Sequence, residues 1–535
     1  MVLFGGENMR KRAVWLYGLI SLCLLLLTVR IIDITAEEYS AAGSENRKKT
    51  IEIGSTRGKI YDRNLEPLVD CEEKLIAAFT PSVKSKQILS RLLGEERANE
   101  IIESKRPYVT EVKEKVNDEN IKTFFVPIRY PSSAVACHLV GYVNERSGNG
   151  ASGIERGYND FLKESSGTLS VSFSVDATGS VLQGLQKTIN DENYNSSAGV
   201  VLTIDRRIQR IAESALEKSS IKSGCAIVMH VQNGEILALA SVPKYDRNNI
   251  GNELEKKNSP LSNKALPAYS VGSVFKSVVA AYALECGIGE ETAFYCPGSI
   301  TVGDTVFSCY HSKAHKNQTM AQALQNSCNI YFIKLIEKLD TDGLLMFCRS
   351  IGLSHETKIA EGVTGEKGCL PSEASLRFSG ERANFSFGQG KLLISPLQML
   401  GVYHALATGH YVKPTAIFGF SNEEKLVKKE KAQDKKRVLS ESTVKTVRKL
   451  LSSVVEKGNA EKAKSALVSL AGKTGTAQSG IFDGKREICR TWFSGFFPAV
   501  NPHYIVVVLN EDGKGGSVDC APVFKEICEN IVRLG

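Results

Sequence analysis

The pattern of hydrophobic and polar positions separates one long apolar run near the N-terminus from a mixed remainder. Residues 13–29, AVWLYGLISLCLLLLTV, follow the basic stretch RKR at 10–12. A run of this length reaches the roughly 17 apolar residues that a membrane-spanning helix needs. The positive-inside rule then predicts a cytoplasmic tail at 1–12, a transmembrane anchor at 13–34 and an external remainder. A cleaved signal peptide is the alternative, and the length of the run favours an uncleaved, single-pass anchor in the cytoplasmic membrane.

Residues 35–189 mix short alternating segments with charged helical pieces. KTIEIG alternates polar and apolar positions as a half-buried strand does, and SGTLSVSFSVDATGSVL is typical of strand, turn and strand. No catalytic constellation is visible here, so we interpret the region as a mixed, mainly β pedestal or dimerisation-like domain. The polar stretch NDENYNSSAG at 190–199 predicts a linker.

The pattern changes again over residues 200–535. VVLTIDRRIQRIAESALEK reads as a strand that leads into a helix, and GCAIVMHVQNGEILALASVP as two strands around an Asn-Gly turn. RTWFSGFFPAVNPHYIVVVLNEDG predicts two further strands near the C-terminal end, followed by a helix. Strands at both ends with helices between them favour an α+β layer fold.

A helix that is apolar almost all round is predicted for SVGSVFKSVVAAYALECG at 270–287. Ser273 lies in its first turn, and Lys276 stands where a capping box would place Glu or Gln. Burial and the positive end of the helix dipole both disfavour the ammonium form and lower a lysine pKa. Residues at i and i+3 share a face, so Ser273 and Lys276 fit an activated nucleophile and its base. Ser-x-x-Lys is a weak pattern by itself, and an N-capping serine is the alternative.

Two more motifs are candidates for chemistry. Ser327-Cys328-Asn329 lies between two helical stretches, where Ser327 or Asn329 acting as an N-cap is the alternative. Lys473-Thr474-Gly475-Thr476 follows a strand-like apolar run. A cation and hydroxyl groups beside open glycine backbone suit a carboxylate ligand.

Composition and cysteine usage exclude some functions. The net charge of +8 is mild; it does not call for nucleic acid, and it suits a membrane surface or an anionic polymer. AGKTGT is no P-loop, because Leu467 stands where that motif needs glycine. Among the 13 cysteines, Cys296 and Cys309 are spaced for a disulfide, yet the pattern favours free thiols.

A zinc site is one candidate interpretation of the stretch CYHSKAH, which holds Cys309, His311 and His315. Histidines at i and i+4 on a helix can bind zinc. No acidic residue stands between them, and the segment is too polar to predict a helix. The favoured interpretation is a loop without a metal.

The three motifs, taken in order, resemble those of penicillin-binding proteins and serine β-lactamases. They are Ser273-x-x-Lys276, Ser327-x-Asn329 and Lys473-Thr474-Gly475. Further segments are similar to blocks of the class B penicillin-binding proteins, among them RGKIYDRN at 57–64, HLVGYV, FSFGQGKLLISPLQM and TWFSGFFPAVNPHYIVVV. The resemblance covers nearly the whole chain after the anchor. It implies a transpeptidase domain at 200–535 with an antiparallel sheet flanked by helices.

The resemblance also implies a reaction, peptidoglycan cross-linking by a serine D,D-transpeptidase. Ser273 would attack the D-Ala-D-Ala bond of a stem peptide, with Lys276 as general base. Ser327 would relay a proton to the leaving D-Ala, and Asn329 would hold the substrate amide and orient Lys276. The residues implied to bind the terminal carboxylate or approach the substrate closely are Lys473, Thr474, Gly475 and Thr476. The backbone N–H groups of Ser273 and Thr476 would form the oxyanion hole.

The implied partners are lipid-linked peptidoglycan precursors and their stem peptides, the cytoplasmic membrane and a SEDS-type glycan polymerase. β-Lactams would act as inhibitors that acylate Ser273, and no cofactor or metal is implied. Val271-Gly272 replaces the usual Pro-Gly before the serine, and Val274 the usual Thr or Ser after it, which bears on β-lactam affinity. One alternative is a β-lactam hydrolase or sensor of the same fold, which Asn329 and the long pedestal disfavour. The other is a catalytically silent cell-wall scaffold.

Overall fold

The computed structural model describes residues 6–45, 48–116, 118–182, 185, 187–422, 425–429 and 434–535, with side chains of the first helix described over 11–33. That helix, α1 (Gly6–Glu45), contains the apolar segment Lys11–Asp33, which is long enough to cross a membrane. It is the only helix in the described part of the chain that meets this criterion. The structure therefore agrees with a single N-terminal anchor, while the orientation of the anchor stays a prediction.

The remaining α-helices are short or medium in length. They are α2 (Lys86–Leu93), α3 (Glu95–Ser104), α4 (Cys137–Val140), α5 (Gly153–Gly157), α6 (Asn159–Glu164), α7 (Arg206–Lys218), α8 (Ile250–Glu253), α9 (Lys276–Glu285), α10 (Met320–Gln325), α11 (Asn329–Ile336), α12 (Thr341–Ser350), α13 (Glu373–Leu376), α14 (Ser379–Ser386), α15 (Pro396–Thr408), α16 (Glu441–Lys457) and α17 (Gly516–Arg533). Short 3₁₀ helices cover Val83–Ser85, Gly272–Phe275, Tyr310–Ser312 and Glu461–Ala463.

The strands follow the same numbering from the N-terminus. They are β1 (Lys48–Thr56), β2 (Lys59–Tyr61), β3 (Glu72–Phe79), β4 (Tyr108–Val112), β5 (Ile121–Ile128), β6 (Gly167–Ser174), β7 (Thr188–Glu192), β8 (Gly199–Leu202), β9 (Gly224–His230), β10 (Ile236–Val242), β11 (Phe294–Cys296), β12 (Ser299–Val302), β13 (Thr305–Ser308), β14 (Lys316–Gln318), β15 (Thr357–Ala360), β16 (Val363–Gly365), β17 (His410–Tyr411), β18 (Ile417–Asn422), β19 (Lys425–Lys429), β20 (Lys436–Arg437), β21 (Ala471–Asp483), β22 (Arg486–Phe497) and β23 (Tyr504–Asn510).

The chain divides into two compact units that alternate along the sequence. Unit 1 comprises Met1–Thr56, Glu73–Pro127 and Ser166–Asn195. Unit 2 comprises Arg57–Glu72, Ile128–Ser165 and Ser196–Gly535. Two segments predicted within the pedestal thus pack in unit 2, and the boundaries 35–189 and 200–535 stay a prediction of functional domains.

Unit 1 contains two three-stranded sheets, β1-β6-β7 and β4-β3-β5, together with α2 and α3. One core of this unit gathers Ile53, Ile76, Val126 and Phe173. The mainly β character predicted for the pedestal is confirmed. The predicted linker at 190–199 differs, because residues 190–192 belong to β7, whose register pairs Thr188 with Ser172 of β6.

Unit 2 is built on a five-stranded antiparallel sheet with the order β10-β9-β23-β22-β21. The predicted hairpin β9–β10 and the predicted strand pair β22–β23 are both present in it. Helices α7 and α17 pack on this sheet and on each other, and α15 and α16 pack on it together with α9. Its buried strands are rich in Val and Ile, as in β23, YIVVVLN. The α+β prediction, a sheet flanked by helices, is confirmed.

The two N-terminal segments of unit 2 are tied into it by strand pairing and by a buried ion network. Strand β2 pairs in parallel with β8, with Lys59 opposite Gly199. The Glu155 carboxylate is fully buried and accepts hydrogen bonds from Arg57 Nε (2.9 Å), Arg129 Nη2 (2.7 Å) and Tyr130 Oη (2.8 Å). A buried carboxylate with several partners is stable only while they remain, so this network joins residues 57–72 to 128–165.

Candidate active site

Ser273 lies in the 3₁₀ turn that precedes α9, and surrounding backbone holds this turn closely. Gly272 has φ +60°, and a Cβ added there would lie 2.5 Å from the carbonyl oxygen of Thr476. Its N–H donates to the carbonyl oxygen of Gly388 at 2.9 Å. Trp492 Nε1 donates to the carbonyl oxygen of Ser270 at 2.9 Å. The N-cap alternative for Ser273 does not hold, because Val271 is the capping residue and no side chain caps the turn.

Lys276 is the first residue of α9, and its side chain is wholly buried. Its Nζ lies 3.0 Å from Ser273 Oγ and 3.3 Å from Ser327 Oγ. It donates to Asn329 Oδ1 and to the carbonyl oxygen of Ser327, each at 2.7 Å. Burial lowers the pKa of Lys276 to about 7, and the sulfur groups of Cys328 and Cys309 act in the opposite direction. A lysine with such a pKa can accept a proton near neutral pH.

Ser327 lies in the turn between α10 and α11, and Asn329 is the first residue of α11. Ser327 has φ +53°, and Cys328, not Ser327 or Asn329, caps α11 by accepting a hydrogen bond from Tyr331 N at 3.4 Å. Asn329 Nδ2 donates to the carbonyl oxygen of Ser308 at 2.9 Å. This hydrogen bond fixes the amide so that its oxygen faces Lys276.

Lys473 enters from β21, the edge strand of the five-stranded sheet, and is also wholly buried. Its Nζ donates to Ser327 Oγ at 3.1 Å and to the carbonyl oxygen of Thr474 at 3.1 Å. Burial, with repulsion from Lys276, holds the pKa of Lys473 well below its ordinary value. The carboxylate of an incoming ligand would provide the negative counter-charge that the protonated form of Lys473 otherwise lacks.

The rest of the Lys-Thr-Gly-Thr stretch lies along the same strand. Thr474 Oγ1 donates to Asn459 Oδ1 at 3.2 Å, and Thr476 is exposed with its Oγ1 accepting from Gly516 N at 3.3 Å. A Cβ at Gly475 would lie 2.6 Å from the carbonyl oxygen of Val271. Glycine is therefore required where β21 passes the turn that carries Ser273.

Together these contacts form a continuous chain of hydroxyl and amine groups. It runs from Ser273 Oγ through Lys276 Nζ and Ser327 Oγ to Lys473 Nζ, with steps of 3.0, 3.3 and 3.1 Å. A hydroxyl beside a buried amine of lowered pKa is a nucleophile with its base. A second hydroxyl between two amines can pass a proton from one side of a reacting bond to the other.

The structure thus brings into one cluster Ser273, Lys276, Ser327, Asn329 and Lys473. Thr474, Gly475 and Thr476 border the cluster on β21. Sequence reasoning missed Asn459, the indole of Trp492 and the Ser308 carbonyl. The first two gave no pattern in the sequence, and a main-chain oxygen carries no side-chain signature at all.

A chain with this fold and this cluster is a serine enzyme that transfers acyl groups. The family model described as "Penicillin binding protein transpeptidase domain" matches residues 224–529, more than half of the chain. The protein therefore belongs to the penicillin-binding protein transpeptidase family, and within it to the class B penicillin-binding proteins.

The sequence is similar to those of known relatives over nearly the full length of the chain. "Peptidoglycan D,D-transpeptidase FtsI" of Buchnera aphidicola is 27% identical, over 100% of this chain and 98% of the relative. "Stage V sporulation protein D" of Bacillus subtilis is 28% identical, over 98% of this chain and 85% of the relative. A chain in the solved structure described as "Structural coordination of polymerization and crosslinking by a peptidoglycan synthase complex" superposes with a TM-score of 0.71 at 24% identity, covering 98% of this chain and 99% of that one. This last likeness shows the fold.

Proposed function

We propose that this transpeptidase cross-links peptidoglycan through an acyl-enzyme formed on Ser273. The observation that carries the proposal is the 3.0 Å separation of Ser273 Oγ from Nζ of a wholly buried Lys276. The substrate is the D-Ala-D-Ala end of a stem peptide, and the names of the relatives support this choice.

In the first half-reaction, Ser273 Oγ attacks the carbonyl carbon of the D-Ala-D-Ala bond while Lys276 Nζ accepts the hydroxyl proton. The backbone N–H groups of Ser273 and Thr476 stabilise the oxyanion of the tetrahedral intermediate. The C–N bond then breaks, and a proton passes from Lys276 through Ser327 to the departing amine of D-Ala. An ester to Ser273 remains.

In the second half-reaction, an amine of a neighbouring stem peptide attacks the ester carbonyl. It loses a proton along the same hydroxyl and amine chain, a peptide bond forms, and Ser273 regains its proton. Asn329 holds the substrate amide and keeps Lys276 in place. Lys473, with Thr474 and Thr476, binds the substrate carboxylate, while Gly475 leaves room for the turn that carries Ser273.

β-Lactams enter the same site as analogues of the substrate and acylate Ser273. We further infer that α1 anchors the protein in the cytoplasmic membrane with its N-terminus inside, and that lipid-linked precursors reach the external unit. A SEDS-type glycan polymerase is the proposed protein partner, in line with a relative in fold that is part of a peptidoglycan synthase complex. A chain without residues 1–69 that still co-purifies with such a polymerase would contradict contact through the anchor and the start of the external part.

The test of the acyl-enzyme uses the full chain in detergent, incubated with benzylpenicillin and followed by intact mass. We expect an adduct of one benzylpenicillin that lasts for hours on the wild type and is absent from Ser273→Ala. The matched control is Ser277→Ala, a buried serine in α9, one turn after Ser273, whose hydroxyl contacts Tyr403 instead of Lys276. This variant should still form the adduct.

A parallel assay supplies a lipid-linked pentapeptide precursor and measures released D-Ala. Release by the wild type and none by Ser273→Ala would support the transpeptidase. An adduct that clears within seconds would identify a β-lactam hydrolase. The lack of both adduct and D-Ala release would favour the silent scaffold and overturn the proposal.

A further inference from the structure

Four side chains beside the active site place metal-binding atoms close together. The sulfur atoms of Cys296, Cys309 and Cys328 and one ring nitrogen of His315 all lie within 4.8 Å of one another. The three cysteines are buried and His315 is half-buried. They come from separate parts of the sequence: Cys296 ends β11, Cys309 follows β13, His315 precedes β14, and Cys328 precedes α11.

The three shortest contacts in this cluster have the lengths expected between ligands of a tetrahedral metal site. Cys309 Sγ lies 3.7 Å from both Cys296 Sγ and Cys328 Sγ, and Cys296 Sγ lies 3.5 Å from His315 Nδ1. Tetrahedral zinc, with bonds of about 2.3 Å to sulfur and about 2.1 Å to nitrogen, puts its ligands about 3.8 Å (S to S) and about 3.6 Å (S to N) apart. A disulfide requires sulfur atoms at about 2.05 Å, so these cysteines are not paired.

We propose that Cys296, Cys309, Cys328 and His315 bind one Zn²⁺ ion. The three thiols release their protons to solvent on binding, and the histidine coordinates as neutral imidazole through Nδ1. Three sulfur ligands and one nitrogen ligand suit zinc among the common cations. All four positions are filled by the protein, so the ion is structural and does not bind substrate.

The segment that supplies three of the ligands is held by strand pairing and by one small apolar cluster around Phe307. Between Cys296 and His315, most residues are exposed, among them Tyr310, His311 and Lys313. The pairing of Cys296 with Lys316 and the hydrogen bond from Cys309 N to the Gly298 carbonyl (3.0 Å) bring the ends together. A bound ion provides a cross-link that so small an apolar core does not supply.

The fourth ligand connects this segment to the catalytic cluster. Cys328 is the residue between Ser327 and Asn329, both of which contact Lys276. Cys309 directly follows Ser308, whose carbonyl oxygen holds the Asn329 amide. Through Cys328 and Cys309, the ion fixes both sides of the turn that positions Ser327 and Asn329. The cysteines and His315 are thus positioning residues.

The sequence indicates two of these four residues as candidate zinc ligands, and it also indicates one residue that is not part of the cluster. Cys309 and His315 were among the candidates, with no metal favoured. His311, the other candidate, is exposed and does not belong to the cluster. Cys296 and Cys328 lie outside the stretch that suggested zinc, so only the fold unites the four.

The test measures metal in the full chain, purified without chelator and analysed by inductively coupled plasma mass spectrometry. We expect about one zinc per chain, since the four ligands form one closed site. His315→Ala and Cys309→Ala should each bind zinc at least about tenfold more weakly in competition with a chromophoric chelator, because each removes a ligand. The matched controls are His311→Ala, in the same loop, and Cys348→Ala, a buried cysteine outside the cluster. Both should keep their zinc.

Two further readouts separate this proposal from the acyl-transfer proposal. In the first, Co²⁺ substituted for zinc should show thiolate-to-cobalt charge-transfer absorption. In the second, removal of the metal by a chelator should lower the thermal midpoint of the wild type and of the controls. It should not change that of the double variant His315→Ala/Cys309→Ala. Neither readout depends on activity at Ser273. A full chain without zinc, or a double variant that retains it at wild-type affinity, would overturn the site.

Discussion

Lys276 is positioned by two residues of another sequence motif, Ser327 and Asn329. Its amine contacts the oxygens of Ser273, Ser327 and Asn329, and it has no acidic partner among these contacts. Burial without a counter-charge favours the neutral amine. The side chain is therefore held in place by hydrogen bonds to neutral groups, which leave it free to act as a base.

We predict that Lys276→Arg loses acylation by benzylpenicillin at least about 100-fold, because a guanidinium stays protonated and cannot act as general base. The rate of adduct formation, read by intact mass, measures the loss. The control is Lys264→Arg, another buried lysine, which pairs with Glu511 at 3.2 Å. Acylation of Lys276→Arg within about tenfold of the wild type would refute the role of general base.

The members of the candidate site were predictable, because their residue types and their order in the sequence carry the motif pattern. Ser273, Lys276 and Lys473 were each proposed from the sequence, and they lie in one cluster that is linked through Ser327. The Ser308 carbonyl that holds Asn329 was not predictable. Its contact depends on β13 ending beside the turn before α11, and that proximity arises from tertiary packing.

At the scale of elements, the decisive contact is between β21 and the 3₁₀ turn that carries Ser273. The strand supplies Lys473 and passes the turn at glycine positions on both sides: Gly475 faces the Val271 carbonyl, and Gly272 faces the Thr476 carbonyl. The two elements approach as closely as backbones allow. Main-chain contacts therefore set the distance between Ser273 and β21.

We expect Gly475→Ala to reduce acylation about 100-fold, since its Cβ would lie 2.6 Å from the Val271 oxygen and must push the strand or the turn aside. Adduct formation by intact mass reports the rate, and the thermal midpoint reports whether the fold survives. Gly251→Ala is the control, because nothing lies within 4 Å of a Cβ at that position. Wild-type acylation by Gly475→Ala would show that the close approach is not needed.

Elements with strong alternation or turn chemistry were predictable, including the β9–β10 hairpin and the β22–β23 pair. The strand at residues 190–192 of the predicted linker was not, because β7 is paired through its backbone and through Asn190, whose Nδ2 donates to Ser172 Oγ at 2.9 Å. Polar residues on an exposed strand resemble a linker in sequence. Strand pairing of this kind appears only when β6 is in place.

At the scale of the whole molecule, unit 2 includes two segments, 57–72 and 128–165, that are separated in the sequence from its largest part, 196–535. Strand β2 completes the edge of β8, and the buried Glu155 network joins the segment of β2 to residues 128–165. Glu213 also accepts a hydrogen bond from Ala136 N at 2.7 Å. A linear division of the sequence near residue 196 would separate these partners.

We predict that residues 196–535 alone are insoluble or unfolded, because the strand edge and buried polar groups of unit 2 would lose their partners. By contrast, residues 57–72, 128–165 and 196–535 joined by short Gly-Ser linkers should fold and be acylated. The first linker is feasible because Asp70 N donates to the Arg129 carbonyl at 3.1 Å. The second is feasible because the neighbouring residues Gly58 and Lys59 donate to the carbonyls of Leu162 (2.9 Å) and Ala198 (2.9 Å), which brings these two segments together. Soluble yield, thermal midpoint and penicillin adduct compare the two chains. A stable, acylated 196–535 fragment would contradict the prediction.

The alternation of units along the chain also bears on how such a protein can change over evolutionary time. Residues 73–127 and 166–195 of unit 1 are inserted at points where the flanking ends of unit 2 lie side by side. A lineage can lengthen, shorten or exchange either insert without moving Ser273 relative to Lys473. Natural variation in chain length should therefore accumulate in these two inserts, while the length of unit 2 stays nearly constant.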